Sequence, residues 1–372
     1  MPPPRAGDES MTVSYLGAAT DTTAIDAVIS DFFGQRRAEA DALGEDFAAV
    51  VAELENYVLR GGKRVRPVFA WLGWIGAGGD RHDPGATAVL TACAGLELLH
   101  ASALIHDDII DASDTRRGRP AAHVALAERH RMRGFSGDPG AFGTGSAILV
   151  GDLAQTWADV MVRASGLPAE AQTRIGPVWS AVRSEVLYGQ LLDVINQASD
   201  DESVDSALRV NQYKTASYTV ERPLQFGAAI AGAGADLVAA YGAFGADIGI
   251  AFQLRDDLLG VFGDPTVTGK PSGDDLREGK RTVLLATALK EADESDPDAA
   301  KFIRAKIGTE LADYEIDALR DIFVNVGAVD RIERQIAHRT ERAMGVLEAS
   351  SATAPAKDQL AAMAVKATQR AR

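Results

Sequence analysis

The stretch Leu104-Ile105-His106-Asp107-Asp108-Ile109-Ile110-Asp111 sets three carboxylates at the end of a long apolar run. In a helix Asp107 and Asp111 share a face, with Asp108 about 100° round. Three anions this close repel one another, and an apolar approach makes their charge harder to solvate. Hard cations between them relieve both problems. Mg2+ fits, because it takes oxygen ligands and is held by one or two carboxylates plus phosphate oxygens. A lone cluster of this kind reads equally as a solvated acidic helix end. A second pair, Asp256-Asp257, again closes an apolar helix. Basic clusters stand at Lys63/Arg64/Arg66, Arg116/Arg117 and Lys270/Lys280. Guanidinium groups match phosphate geometry with two parallel hydrogen bonds, and Lys adds a point charge. Acid pairs facing across a helical bundle, ringed by cations, point to an Mg–diphosphate site above an apolar shaft.

The elements that must position these groups read as helices. Apolar residues recur at helical spacing from Ala24 to Leu59, with a break expected near Gly44. Arg60 to Pro67 is a turn built on Gly61-Gly62, followed by an apolar helix through Ile75. A central helix is expected over 86–112, with Leu96, His100, Ala103, Asp107 and Asp111 on one stripe. Residues 131–145 hold five Gly and one Pro and read as a flexible loop. Helices follow over 147–164, 169–197, 204–232 and 235–261. Residues 263–280 are irregular, and further helices run over 282–291, 298–307 and on to about Leu347. Strand signals are nearly absent, so the fold class is an all-α bundle. One helical domain is expected over 24–350, between a loose tail (1–23) and a polar C-terminal tail (351–372).

The composition excludes several classes. Of 372 residues, 46% are hydrophobic and only 6% aromatic, which favours tightly packed helices over a β-sandwich. A formal charge of -15 argues against nucleic acid and anionic membranes as partners. A single cysteine, Cys93, excludes an internal disulfide framework and fits a reducing, cytoplasmic setting. No uninterrupted apolar run of about 18 residues suggests stable membrane insertion, and no secretory signal is evident. Trp71, Trp74, Trp157 and Trp179 read as core, and His106 as structural.

Eight pieces in order resemble one family: GGKRVRP (61–67), ELLHASALIHDDIID (97–111), RRGRP (116–120), GQLLD (189–193), QYKTAS (212–217), FQLRDD (252–257), GK (269–270) and DDLREGKRT (274–282). The family is the trans-polyprenyl diphosphate synthases, of the farnesyl/geranylgeranyl, actinobacterial type. The resemblance covers about 57–340. It implies an isoprenoid-synthase bundle with a central cavity, three Mg2+ per active site, and a homodimer. It further implies that Asp107, Asp111 and Asp256 bind metal, with Asp108 and Asp257 supporting. Arg116, Lys214, Lys270 and Lys280 would contact the allylic diphosphate. Lys63, Arg66, His100 and Arg117 would hold isopentenyl diphosphate. Thr215 and Gln253 would line the reacting carbon. The reaction implied is ionisation of the allylic C–O bond, attack by the isopentenyl double bond, and loss of a proton.

One departure stands out. A second motif of DDxxD form would carry Asp at 260, where this chain has Gly260. Asp264, Asp274 and Asp275 are candidate substitutes. Below the first motif the shaft positions are Ser102 and Ala103, with Leu99 deeper; small side chains there leave room for a C20 product, geranylgeranyl diphosphate. Farnesyl or longer products remain open. A class I terpene cyclase would share the first Asp cluster but carry an Asn/Ser/Glu metal triad, which Asn211 and Ser217 do not begin. A non-catalytic partner subunit would have lost the acid pairs, and squalene-type condensation would need a dinucleotide site that the sequence does not show.

Overall fold

The computed structural model describes residues 21–116, 118–263 and 273–369. These residues are helical almost throughout, apart from a two-stranded antiparallel ribbon pairing Thr115–Arg116 with Arg119–Pro120. Contacts group the chain into two compact units. One comprises Met1–Gly176 and Phe226–Ala233, the other Pro177–Gln225 and Gly234–Arg372.

The first unit is organised around the helix Ala86–Ile110. Its side chains are apolar nearly all round, from Val89 and Leu90 to Leu98 and Ile105, which is the pattern of a helix enclosed by others. It packs chiefly on Pro139–Arg163. The approach is close because Gly95 has no side chain: a Cβ there would stand 2.8 Å from Val162 Cγ2. The expected break before the second helix is present. Asp21–Leu43 gives way to Glu45–Leu59 at Gly44, whose φ of 112° suits glycine. Val51, Leu54 and Val58 then form the buried stripe. The four tryptophans and Cys93 are all buried, as expected.

Of residues 131–145, only 134–138 form the loop that their glycines implied. The helix begins at Pro139, because Asp138 caps it by accepting a hydrogen bond from the Ala141 amide and proline suits the first turn. Gly143 serves packing instead: a Cβ there would stand 2.8 Å from Ala127 Cβ on the helix Ala122–Arg133.

Arg64 anchors the turn before Val65–Gly76. It adopts a left-handed conformation (φ 47°) and is 2% exposed. Its guanidinium donates to Glu97 at 2.7 Å and to Asp26 at 2.6 Å. Arg64→Ala would leave the buried Glu97 carboxylate uncompensated, so a loss of about 3–5 kcal/mol is expected in chemical denaturation. A loss below about 1 kcal/mol would show that the pair does not anchor the turn.

The second unit is organised around Ala235–Phe262, which packs on Asn211–Glu221 and Ala328–Ala349. The stretch expected as one helix over 204–232 is an α-helix (Val204–Val210), a π-helix (Asn211–Glu221) and another α-helix (Arg222–Ala231). Glycines bring the neighbours unusually near the π-helix. A Cβ on Gly189 would stand 2.6 Å from Lys214 Cα, and one on Gly249 would stand 2.6 Å from Ala216 Cβ. The polar stretch after Ser350 also differs from expectation. Ala354–Thr368 is a helix that buries Ala356, Leu360, Ala364 and Thr368, each four residues on. Arg255 ties it down, donating to the Thr368 carbonyl at 2.9 Å and to Glu333 at 2.8 and 2.6 Å.

Ala86–Ile110 and Ala235–Phe262 are long and apolar enough to cross a membrane by composition, yet 72% and 56% of their most apolar windows are buried within the protein. They are the core helices of their units, and each carries an acid pair within its last two turns.

Candidate active site

The first acid cluster is set by how its helix stops. The Asp111 amide still donates to the Asp107 carbonyl, and Ala112 turns left-handed with φ 51°. The Ser113 amide then donates to the Asp108 carbonyl at 2.8 Å, and the ribbon folds Arg116 back over the helix end. Arg116 Nε donates to Asp108 Oδ1 at 2.7 Å, and Nη2 reaches Asp107 Oδ2 at 3.3 Å. Asp108 is fully buried, and its Oδ2 has no hydrogen-bond partner. Burial pushes its carboxyl above the usual range, Arg116 opposes that, and Asp107 adds to it. Asp107 and Asp111 are half-buried and keep access to solvent. The structure thus separates the three acids into two accessible ones and an enclosed one that grips Arg116.

Along the same helix His100 and Ala103 are also half-buried, whereas Leu99 and Ser102 are buried (2% and 3% exposed). His106 lies against the backbone at Gly151, with Nε2 3.1 Å from the Ile148 carbonyl, as fits a structural role. At the Gly61-Gly62 turn, Lys63 is exposed and Arg66 half-buried, while Arg64 is committed to Glu97 and Asp26. The three basic residues read together from the sequence therefore differ in setting: Arg64 is a buried structural cation, Arg66 is half-buried and Lys63 is exposed. Arg117 lies outside the described residues.

In the second unit a hydrogen-bonded line leads to the second acid pair. Thr215 Oγ1 donates to Gln253 Oε1 at 2.7 Å, and Gln253 Nε2 donates to Asp257 Oδ1 at 2.8 Å. Asp257 is 3% exposed, and its Oδ2 has no hydrogen-bond partner. Burial first, then the nearby Asp275 and Asp256 carboxylates, push Asp257 up to about 7. Asp256 is half-buried. Lys214 Nζ donates to Asp193 Oδ2 at 2.7 Å. Asp193 was given no role from sequence, although it ends the GQLLD motif; its signal was there without a partner to interpret it. The π-helix that carries Lys214 and Thr215 left no trace in periodicity, and such turns recur at functional sites. Lys280 pairs with Glu278 at 2.6 Å. Asp264 and Lys270 lie outside the described residues.

The donor sets suit Mg2+. Each acid pair holds a buried carboxylate oxygen without a hydrogen-bond partner, next to a more accessible acid. Among the described residues no three His, Cys, Asp or Glu side chains form a metal cage of their own. That agrees with a cation that takes few protein carboxylates and completes its shell with water and phosphate.

Comparison with known proteins agrees with this chemistry. A family model described as polyprenyl synthetase matches residues 48–319. A crystal structure of geranylgeranyl pyrophosphate synthase from Corynebacterium glutamicum, complexed with isoprenyl diphosphate and magnesium, is 45% identical. It covers 94% of this chain and 99% of its own, with a TM-score of 0.91. Geranylfarnesyl diphosphate synthase from Aeropyrum pernix is 34% identical, over 78% of this chain and 85% of its own. Geranylgeranyl diphosphate synthase from Mycobacterium tuberculosis is 33% identical, over 68% and 66%.

Proposed function

Because the chain belongs to the polyprenyl synthetase family and is a trans-prenyltransferase that elongates prenyl diphosphates, we propose that it joins isopentenyl diphosphate head-to-tail to an allylic diphosphate and releases geranylgeranyl diphosphate. The observation that carries this reading is the pairing, at two helix ends, of an accessible aspartate with a buried one whose second oxygen lacks a partner. Asp107, Asp111 and Asp256 would hold Mg2+, three ions per site, which when bound would supply positive charge beside the diphosphate leaving group.

The chain's own groups do the rest. Arg116, Lys214, Lys270 and Lys280 hold the allylic diphosphate and neutralise charge as the C–O bond breaks. Lys214 is prepositioned by Asp193, and Arg116 by Asp108. Lys63, Arg66, His100 and Arg117 hold isopentenyl diphosphate. Thr215 and Gln253 present oxygen dipoles to the developing allylic cation, and Asp257 fixes the Gln253 amide. The proton lost after coupling passes to the released diphosphate, so no protein nucleophile is required.

The protein works in the cytoplasm as a homodimer. Leu187, Leu191, Val194 and Ile195 lie at helical spacing and are 51%, 59%, 37% and 49% exposed, a face suited to a second copy.

Incubation with Mg2+, labelled isopentenyl diphosphate and each of the C5, C10 and C15 allylic starters is expected to give C20 as the final product. Products that stop at C15 or run past C20 would overturn the chain length. A cyclic hydrocarbon, or no consumption of isopentenyl diphosphate, would overturn the reaction itself.

A further inference from the structure

Gly260 stands where the second acidic motif lacks a third carboxylate, on the turn after Asp256-Asp257. The space that a side chain at 260 would fill is taken. A Cβ there would overlap the Asp275 carboxylate and stand 2.6 Å from its Cγ. Asp275 comes from the short helix Asp274–Glu278, which lies between two left-handed glycines, Gly273 (φ 79°) and Gly279 (φ 72°). These fix its backbone, and the Lys280 amide donates to the Asp275 carbonyl at 3.1 Å.

A second observation points to a ligand. Asp257, 3% exposed, has an oxygen without a hydrogen-bond partner, and the carboxylates acting on it are Asp275 and Asp256. Asp257 is therefore a buried acid that feels two half-buried ones, with one oxygen left without a partner. That arrangement is costly unless a cation completes it. Asp274 is not drawn into it in the same way: neither the Gly260 overlap nor the charge at Asp257 involves it.

We propose that Asp275 is the missing third carboxylate of the second motif, supplied from a separate helix into the space that Gly260 leaves open, and that it serves the metal end of the diphosphate together with Asp256. The glycine and the aspartate are then one unit: a carboxylate moved from one backbone position to another, with glycine required at the first so that the second fits. The inference rests on the Mg–diphosphate reading above.

The test uses the full chain and inorganic diphosphate, which cannot react. Binding in the presence of Mg2+ is measured by calorimetry, and Mn2+ stoichiometry at saturating diphosphate by electron paramagnetic resonance. Asp275→Asn keeps the shape of the side chain and is expected to weaken binding about ten-fold or more and to lower the Mn2+ count. Gly260→Asp alone is expected to bind no better than Asp275→Asn, because two side chains compete for one space. The double variant Gly260→Asp/Asp275→Gly is expected to regain most of the binding, and Asp274→Asn to leave it unchanged. Melting curves show whether each variant is folded.

Binding and stoichiometry within two-fold of the parent in Asp275→Asn would overturn the proposal, as would a folded double variant that regains nothing. If the parent chain itself bound no Mg–diphosphate, the functional reading and this inference would fall together. If the parent bound it and only the exchange failed, the inference alone would fall.

Discussion

Asp107→Ala is expected to lower turnover by on the order of 10³-fold or more while the fold is retained. Asp107 is half-buried and reaches Arg116 only at 3.3 Å, while the tighter Arg116 contact goes to Asp108. Its removal takes away a proposed metal ligand and at the same time relieves repulsion on Asp108, so stability should change by less than about 1 kcal/mol. Asp108→Ala is expected to behave differently. It removes the carboxylate that grips Arg116 and leaves that guanidinium short of a partner, so it should cost about 1–3 kcal/mol in addition to turnover. Steady-state rates and denaturation curves measured on both variants separate the two roles. A retained rate in Asp107→Ala would refute the ligand assignment, and equal stability losses would refute the division between accessible and enclosed acids.

The second large effect concerns product length. Ala103→Phe places an aromatic ring one turn before Asp107, on the half-buried side of the helix, and is expected to shorten the principal product from C20 to C15 or C10. Ser102→Phe is expected to shorten it as well, with a further penalty. Ser102 is only 3% exposed, and forcing a ring into a closed place costs about 1–3 kcal/mol. Chain-length analysis of labelled products, with melting temperatures alongside, reads both effects. Unchanged length in two folded variants would show that the growing tail does not pass these positions.

The reach of the sequence varied with the kind of signal. Helices were legible wherever apolar and polar residues contrasted, as in Glu45–Leu59, whose Val51, Leu54 and Val58 are buried on schedule. They were misjudged where the contrast was weak. Ala354–Thr368 buries two alanines, a leucine and a threonine among Lys, Asp and Gln, so its stripe is faint, and its anchor, Arg255, lies more than 100 residues earlier. At Pro139 five glycines outweighed one aspartate cap, although a glycine such as Gly143 belongs to a helix when a neighbour comes close.

The sequence by itself determined that this protein is a bundle of helices and that two of its most apolar helices end in paired aspartates. It also determined that basic clusters stand at Lys63/Arg64/Arg66, Arg116/Arg117 and Lys270/Lys280. Those properties are local, because residue type and helical period suffice to state them. Only the tertiary structure decided which charge each group meets. It turned Arg64 inward to Glu97 and left Lys63 exposed. It gave Lys214 its Asp193 and joined Thr215 through Gln253 to Asp257. It also brought Asp275 into the gap at Gly260. The energy of a buried charge is set by neighbours distant in sequence, and no period or motif spacing encodes where those neighbours stand.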